Sequence, residues 1–148
     1  MSRKSFLFVA SVLLTVTSLA CAAEEKQTPV EEFRGTTQFQ LLQCQLKSNT
    51  ALLKVEMGEL EEAYSEIGAC LKEGRTDVKK LFPKANAQVA KKPAASKLLK
   101  EYYAVWLTAF DGIFPDVSEL KIAYDRRQGD ASRKAREAWH RFEIEAGF

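Results

Sequence analysis

The chain has 148 residues, a formal net charge of +2 at pH 7, 7 glycines, 4 prolines and 1 histidine. Glycine and proline are scarce while Ala, Leu, Lys, Glu and Gln are abundant, so the composition predicts helices and contains no β-hairpin signal. One histidine excludes histidine-rich zinc sites and two-histidine iron sites built within one chain.

The first 22 residues predict a secretory signal peptide. Arg3 and Lys4 precede an apolar run over residues 6–19, and small residues follow it at 20–23. This run is too short to cross a bilayer, which takes about 20 residues. We therefore expect cleavage near Ala22 and a domain that is exported to the periplasm or secreted, with no transmembrane span.

Cys21 gives a second interpretation of the leader. The residue before it is small, as in bacterial lipoproteins, so a lipid anchor at Cys21 is the minor alternative. After this leader, residues 23–35 are polar and charged and predict a loose segment. Residues 36–148 then predict a single helical domain of ordinary size, with one core.

The longest helical pattern covers residues 36–73. Apolar residues recur there mostly three, four or seven positions apart, at Phe39, Leu42, Leu46, Leu53, Met57, Leu60, Tyr64, Ile67 and Leu71. Such spacing predicts one buried helix face. We expect the domain to be organised around a long helix or a helical hairpin at about 36–73.

The other two cysteines distinguish these alternatives. On one unbroken helix Cys44 and Cys70 would lie about 39 Å apart, whereas a disulfide requires Cα atoms within about 7 Å. A turn at Met57 and Gly58 would place them opposite each other. An oxidising compartment favours a disulfide, so we expect the hairpin with a Cys44–Cys70 bridge. One long helix would leave the thiols unpaired or pair them between chains.

Glycine, proline and capping residues predict the later helix boundaries. Gly74 is expected to end the central helix, Thr76 to cap the next one, and Pro83 to kink it or to mark a later start. Pro93 predicts the start of a strong helix that ends at Gly112.

A final helical region is predicted after residue 115. Asp116 with Glu119 matches a capping box, and Gly129 with Asp130 is expected to bend or restart the helix. Together these segments predict an all-α fold, a bundle of four to six helices.

Residues 72–100 contain nine bases and two acids, a net charge of +7. This segment predicts contact with another envelope or secreted protein or with an anionic surface, through Lys79, Lys80, Lys84, Lys91 and Lys92. The alternative is a solvated face paired within the protein with the acidic residues Glu56, Glu59, Glu61, Glu62 and Glu66. Export and the lack of an aromatic-rich motif among the lysines argue against nucleic acid.

No catalytic, cofactor or metal motif stands out, and no serine lies in a glycine-flanked elbow. We therefore expect no enzymatic activity and no bound cofactor. The remaining class is a binding protein, such as an inhibitor, an immunity-like protein or an envelope accessory factor.

A b-type haem protein or other redox carrier is the alternative from a different class. The run Ala-Trp-His-Arg-Phe at residues 138–142 is similar to the histidine-bearing end of the cytochrome b562 family. That resemblance implies an exported four-helix bundle that ligates haem through His140 and one methionine. The family's methionine lies near the mature N-terminus, whereas the candidate in this chain, Met57, lies in the central stretch.

Overall fold

The structure is a computed structural model that describes residues 27–56, 60–116 and 118–148. The described ranges contain no strand and four helices: α1 Pro29–Glu56, α2 Leu60–Gln88, α3 Pro93–Asp111 and α4 Lys121–Ala146. The prediction of an all-α bundle is confirmed.

Helices α1 and α2 lie side by side and antiparallel. The backbone N–H of Val30, near the start of α1, donates to Gln88 Oε1 at the end of α2 over 3.0 Å. Further along α1, the Cα atom of Cys44 lies 5.8 Å from that of Cys70, with the two sulfur atoms at disulfide distance. These contacts are those of the predicted hairpin. Its predicted turn, at residues 57 and 58, lies outside the described residues.

Helix α4 closes the bundle on the other side of α1. Arg34 in α1 forms a 2.7 Å ion pair with Glu143 near the end of α4, and Gln45 donates to Ser132 over 3.0 Å. Because α3 also pairs with α4, two antiparallel hairpins enclose one core.

Helix α1 starts earlier than predicted. The carboxylate of Glu31 accepts a 2.7 Å hydrogen bond from the N–H of Thr28, and the Thr28 hydroxyl accepts one of 3.3 Å in return. This is a capping box with Pro29 at the first helical position. Phe33 is already fully buried one turn later. The prediction of a loose segment over 23–35 is therefore wrong from Pro29 onwards, and its first four residues lie outside the described residues.

Gly74 lies inside α2 and does not end it. A methyl group at this position would come within 2.5 Å of Phe110 Cζ and 2.9 Å of Gln40 Oε1. Glycine is required here because α1 and α3 both approach the α2 backbone closely. Thr76 caps nothing, since its hydroxyl donates to the backbone carbonyl of Lys72 over 2.8 Å.

Two other predicted helix starts, at about Pro83 and at Gly129, are absent from the described helices. Helix α2 continues through Pro83 to Gln88, and α4 passes through Gly129 and Asp130. The predicted boundaries of α3 are correct, since the helix begins at Pro93 and is capped by Gly112. Proline fits the first helical position because its missing N–H would have no partner there. Glycine fits the position where the helical hydrogen bonds end.

The predicted capping box before α4 does not form. Asp116 accepts hydrogen bonds from the backbone N–H and the hydroxyl of Ser118, at 2.9 and 2.7 Å, and so stabilises a turn instead. Glu119 is held by Arg127 through two contacts of 2.9 and 2.5 Å. Helix α4 starts only at Lys121, without a side-chain cap.

The core is formed mainly by α3 and the residues that pack on it. Trp106 stacks on Phe110 with ring centroids 4.6 Å apart, and Tyr102 meets Trp139 edge to face at 4.9 Å. The largest fully buried side chains are Trp106, Phe33, Phe110, Phe142, Ile67, Leu99 and Ile113.

Candidate interaction surfaces

The apolar pattern on α1 faces solvent. Four large side chains, called the outer stripe below, have relative exposures of 56–60%: Phe39, Leu42, Leu46 and Leu53. The prediction that this pattern forms a buried face is wrong for α1. It is correct for α2, where Ile67 and Leu71 are buried.

The inner face of α1 is partly polar. Thr37 and Ser48 are fully buried on the same side as Cys44 and Ala51, with Gln40 nearly so. Since residues are about 100° apart around a helix, the outer stripe lies opposite this inner face. The hydrophobic pattern alone therefore predicted the wrong face of α1 as the buried one.

The hydroxyl side chains of Thr37 and Ser48 are buried on α1 because the other hairpin supplies their partners. The Thr37 hydroxyl lies 2.7 Å from Tyr102 Oη, and Trp106 Nε1 donates to the Thr37 carbonyl over 2.9 Å. Burial raises the pKa of Tyr102 to about 12, so its phenol is neutral at physiological pH. Every such bond removes the cost of burying a polar group.

Ser48 forms the second polar contact between the hairpins. Its hydroxyl donates to the carbonyl of Ile113 over 3.0 Å and accepts from Tyr124 Oη at 2.7 Å. Burial also raises the pKa of Tyr124. The partners of Ser48 are 65 and 76 residues away in sequence, which is why local sequence patterns did not reveal this side of α1.

The residues of α1 around the outer stripe carry little charge. Residues 36–53 contain one charged residue, Lys47, although 28% of the whole chain is charged. The positions beside the stripe are taken by Gln, Asn and Thr, including Gln38, Gln43 and Asn49. On α1 the stripe is therefore apolar with a nearly uncharged polar border, whereas on the α4 side Leu42 shares a groove with Arg34 and Arg136.

All five lysines predicted to bind a partner are exposed. Lys80 pairs with Asp77 at 3.3 Å, and Lys92 Nζ donates to the carbonyl of Ala146 over 2.5 Å. Among the described residues, no carboxylate lies within 4.0 Å of the ammonium groups of the other three: Lys79, Lys84 and Lys91.

Two of the five acidic residues predicted to neutralise these lysines are engaged elsewhere. Glu62 and Glu66 both contact Lys54 of α1, at 3.3 and 2.9 Å, and these contacts raise the pKa of Lys54. Glu56 and Glu59 have no described side chains. Glu62 and Glu66 therefore do not pair with the basic segment, as the alternative of an internally paired face requires.

The five lysines do not form one face. Lys79 and Lys80 are adjacent, so they point about 100° apart around α2, whereas Lys80 and Lys84 share a side. Lys92 lies at the last turn of α4, where a cation favourably opposes the helix dipole. The structure therefore brings together at most two of them on one helix face and gives Lys92 a structural role.

His140 lies at the mouth of a groove of about 220 Å³ between α1 and α4. Its side chain is 68% exposed and its Nδ1 is 3.0 Å from Glu143. The groove floor includes Trp139, whose ring is covered by the Arg34 guanidinium at 4.5 Å. Met57, the other predicted haem ligand, lies outside the described residues.

A larger cavity of about 590 Å³ lies between α3 and α4. Small and β-branched residues line it, including Ala109, Ala131 and Val105, together with three basic residues and Asp130. One of these, Arg127, is already bound to Glu119 and donates to the Gly112 carbonyl. This arginine therefore has a structural role, joining the two ends of the α3–α4 connection.

Within the described ranges, no group of three or more His, Cys, Asp or Glu side chains is arranged to bind a metal. None of the described helices has a stretch apolar enough to span a membrane. Comparison of the chain with protein-family models, curated proteins and solved structures found no match.

Proposed function

We propose that the mature chain is an exported, non-enzymatic binding protein of the periplasm or the extracellular space. Its partner is an acidic protein of the same compartment, recognised through the basic segment 72–100. The observation that carries this proposal is the exposure of Lys79, Lys84 and Lys91 without a carboxylate partner among the described residues, while Glu62 and Glu66 are bound to Lys54. Positive charge on this surface attracts an anionic partner and accelerates association.

An acidic protein fits this surface better than a flat anionic membrane. A flat surface contacts charges that lie in one plane, whereas Lys79 and Lys80 point in different directions around α2. A protein can extend over both sides of the helix and over the loop that contains Lys91.

Charge reversal tests this function. The variant Lys79→Glu, Lys84→Glu, Lys91→Glu should lose salt-sensitive retention of acidic proteins from an envelope extract. Its thermal stability should change little because exposed charges contribute about 0 to 1 kcal/mol. The matched control reverses three exposed α4 bases, Arg126, Lys134 and Arg141, and has the same net charge.

The outcomes separate the alternatives. If the first variant no longer retains acidic proteins and the control still does, the proposal is supported. Equal loss in both variants would show that net charge alone is responsible. Binding to phosphatidylglycerol vesicles without retention of protein would indicate an anionic surface instead. N-terminal sequencing of the exported chain tests the leader, and an intact Arg3 and Lys4 would refute cleavage.

The visible absorption spectrum of the purified protein tests the haem alternative. The binding proposal predicts no Soret band in the purified protein, whereas a band that His140→Ala abolishes would replace it with a haem carrier. Among the described residues, His140 is exposed and already contacts Glu143, which does not favour a haem ligand.

A further inference from the structure

Helix α1 carries apolar side chains on two opposite faces. Its inner face packs in the core, and its outer stripe exposes four large side chains, on the order of 400 Å² of contiguous apolar surface. A helix with apolar residues on opposite sides is typically buried on both. The outer stripe therefore has the character of an interface.

The nearly uncharged border that α1 itself gives the outer stripe favours a second copy of the helix as the occupant. Lys47 is the single charge between residues 36 and 53, so two copies of this face meet with little like-charge repulsion. Glutamine, asparagine and threonine side chains both donate and accept hydrogen bonds, so they can pair with identical residues. A partner selected by charge would instead require complementary charges here.

The spacing of the outer stripe is symmetric about Leu46. Phe39 and Leu53 each lie seven residues away, roughly 10.5 Å along the helix in either direction. Leu42 lies four residues before Leu46, and Thr50 lies four after it. The Thr50 hydroxyl donates to the Leu46 carbonyl over 3.1 Å, which leaves its methyl group for apolar contact.

We propose that a second copy of this chain packs antiparallel on the outer stripe, with a two-fold axis at Leu46. Phe39 of each copy then contacts Leu53 of the other, and Leu42 contacts Thr50. Such an interface is self-complementary, as two-fold symmetry requires. With its polar border, a helix pair of this length buries about 600 Å² per copy, the lower range of specific interfaces.

The dimer leaves the lysines of the proposed function exposed because they lie on α2 and on the loop before α3. Its test is therefore independent of partner binding. Sedimentation velocity of the full mature protein at about 100 μM should show a dimer. A wild-type protein that is monomeric at this concentration would overturn the proposal.

Leu46→Glu should weaken the dimer about 100-fold or more, because symmetry places two carboxylates at the centre of the apolar contact. The matched control is Ile144→Glu, which alters an 82% exposed apolar residue on α4 and should leave the dimer intact. A dimer that survives Leu46→Glu contradicts this interface. Circular dichroism of each variant checks that the monomer is folded.

A mixing experiment tests the antiparallel orientation. Phe39→Glu alone and Leu53→Lys alone should each yield monomers, whereas an equimolar mixture should recover dimers. In the antiparallel arrangement the mixture joins the new carboxylate to the new ammonium and keeps one native Phe39–Leu53 contact. A parallel pair would place each new charge against an apolar side chain and form no new ion pair. Failure of the mixture to recover dimers therefore refutes the proposed geometry.

Discussion

Gly74→Ala tests how tightly the two hairpins approach each other. Two effects compete at this position. Alanine favours a helix over glycine by about 1 kcal/mol, but the added methyl group would lie 2.5 Å from Phe110 Cζ. Such a distance requires the ring or the helix to move.

Phe110 cannot move easily. It is fully buried and stacks on Trp106 with ring centroids 4.6 Å apart. Forcing extra volume into a packed core costs about 1–3 kcal/mol, so the cost exceeds the helical gain. After subtraction of the helical gain, we expect Gly74→Ala to lower the free energy of unfolding by up to about 2 kcal/mol.

Urea unfolding followed by circular dichroism measures this change, and two other helical glycines provide controls. A methyl group at Gly68 or at Gly129 would meet no atom within 4 Å outside its own helix. Alanine at either position should therefore raise stability by about 0.5–1 kcal/mol. If Gly74→Ala stabilises the protein as much as Gly68→Ala, the close approach of α3 to α2 is refuted.

Three further predictions follow from the contacts of α1. Thr37→Val removes the partner of buried Tyr102 Oη and should cost about 1–3 kcal/mol in urea unfolding, with Tyr102→Phe in the same chain recovering part of the loss. Because burial raises the pKa of Tyr102 from 10.0 to about 12, the neutral phenol stabilises the fold below pH 10. That contribution disappears as the pH rises from 10 to 12, and Tyr102→Phe should flatten this dependence in alkaline unfolding curves. Thr28→Ala removes the capping box of α1 and should lower the thermal midpoint, at a cost of about 1 kcal/mol.

Features that depend on neighbouring residues were predictable from the sequence. Pro93 and Gly112 bound α3 because the cyclic side chain and the missing side chain act locally on the backbone. Helix rise showed that a bridge between Cys44 and Cys70 requires a hairpin rather than one long helix, and an oxidising compartment favoured the bridge. The Thr28–Glu31 capping box was also visible in the sequence, and its spacing together with Pro29 would have located the start of α1.

Features that depend on distant residues were not predictable. Gly74 has the ordinary appearance of a helix end, and only the approach of Phe110, 36 positions later in the sequence, explains it. The outer stripe has the spacing of a core face because a core and an interface require the same residues. What identifies the inner face is the set of hydrogen bonds from Thr37 and Ser48 to the other hairpin.

The polar inner face also explains why α1 needs the disulfide. Between residues 37 and 51 the fully buried side chains of α1 are small or polar, namely Thr37, Cys44, Ser48 and Ala51, so apolar burial holds this part of the helix weakly. A bridge closing 26 residues contributes about 3 kcal/mol by the chain-entropy estimate.

Reduction of the Cys44–Cys70 bridge should therefore loosen α1 before the rest of the bundle. Hydrogen exchange should show amides of residues 37–51 losing protection, while those around Trp106 in α3 remain protected by the aromatic core. The double variant Cys44→Ala, Cys70→Ala should behave as the reduced protein does. Equal loss of protection in α1 and α3 would show that the bundle opens as one unit, and that the bridge stabilises the whole fold rather than the weakly packed helix.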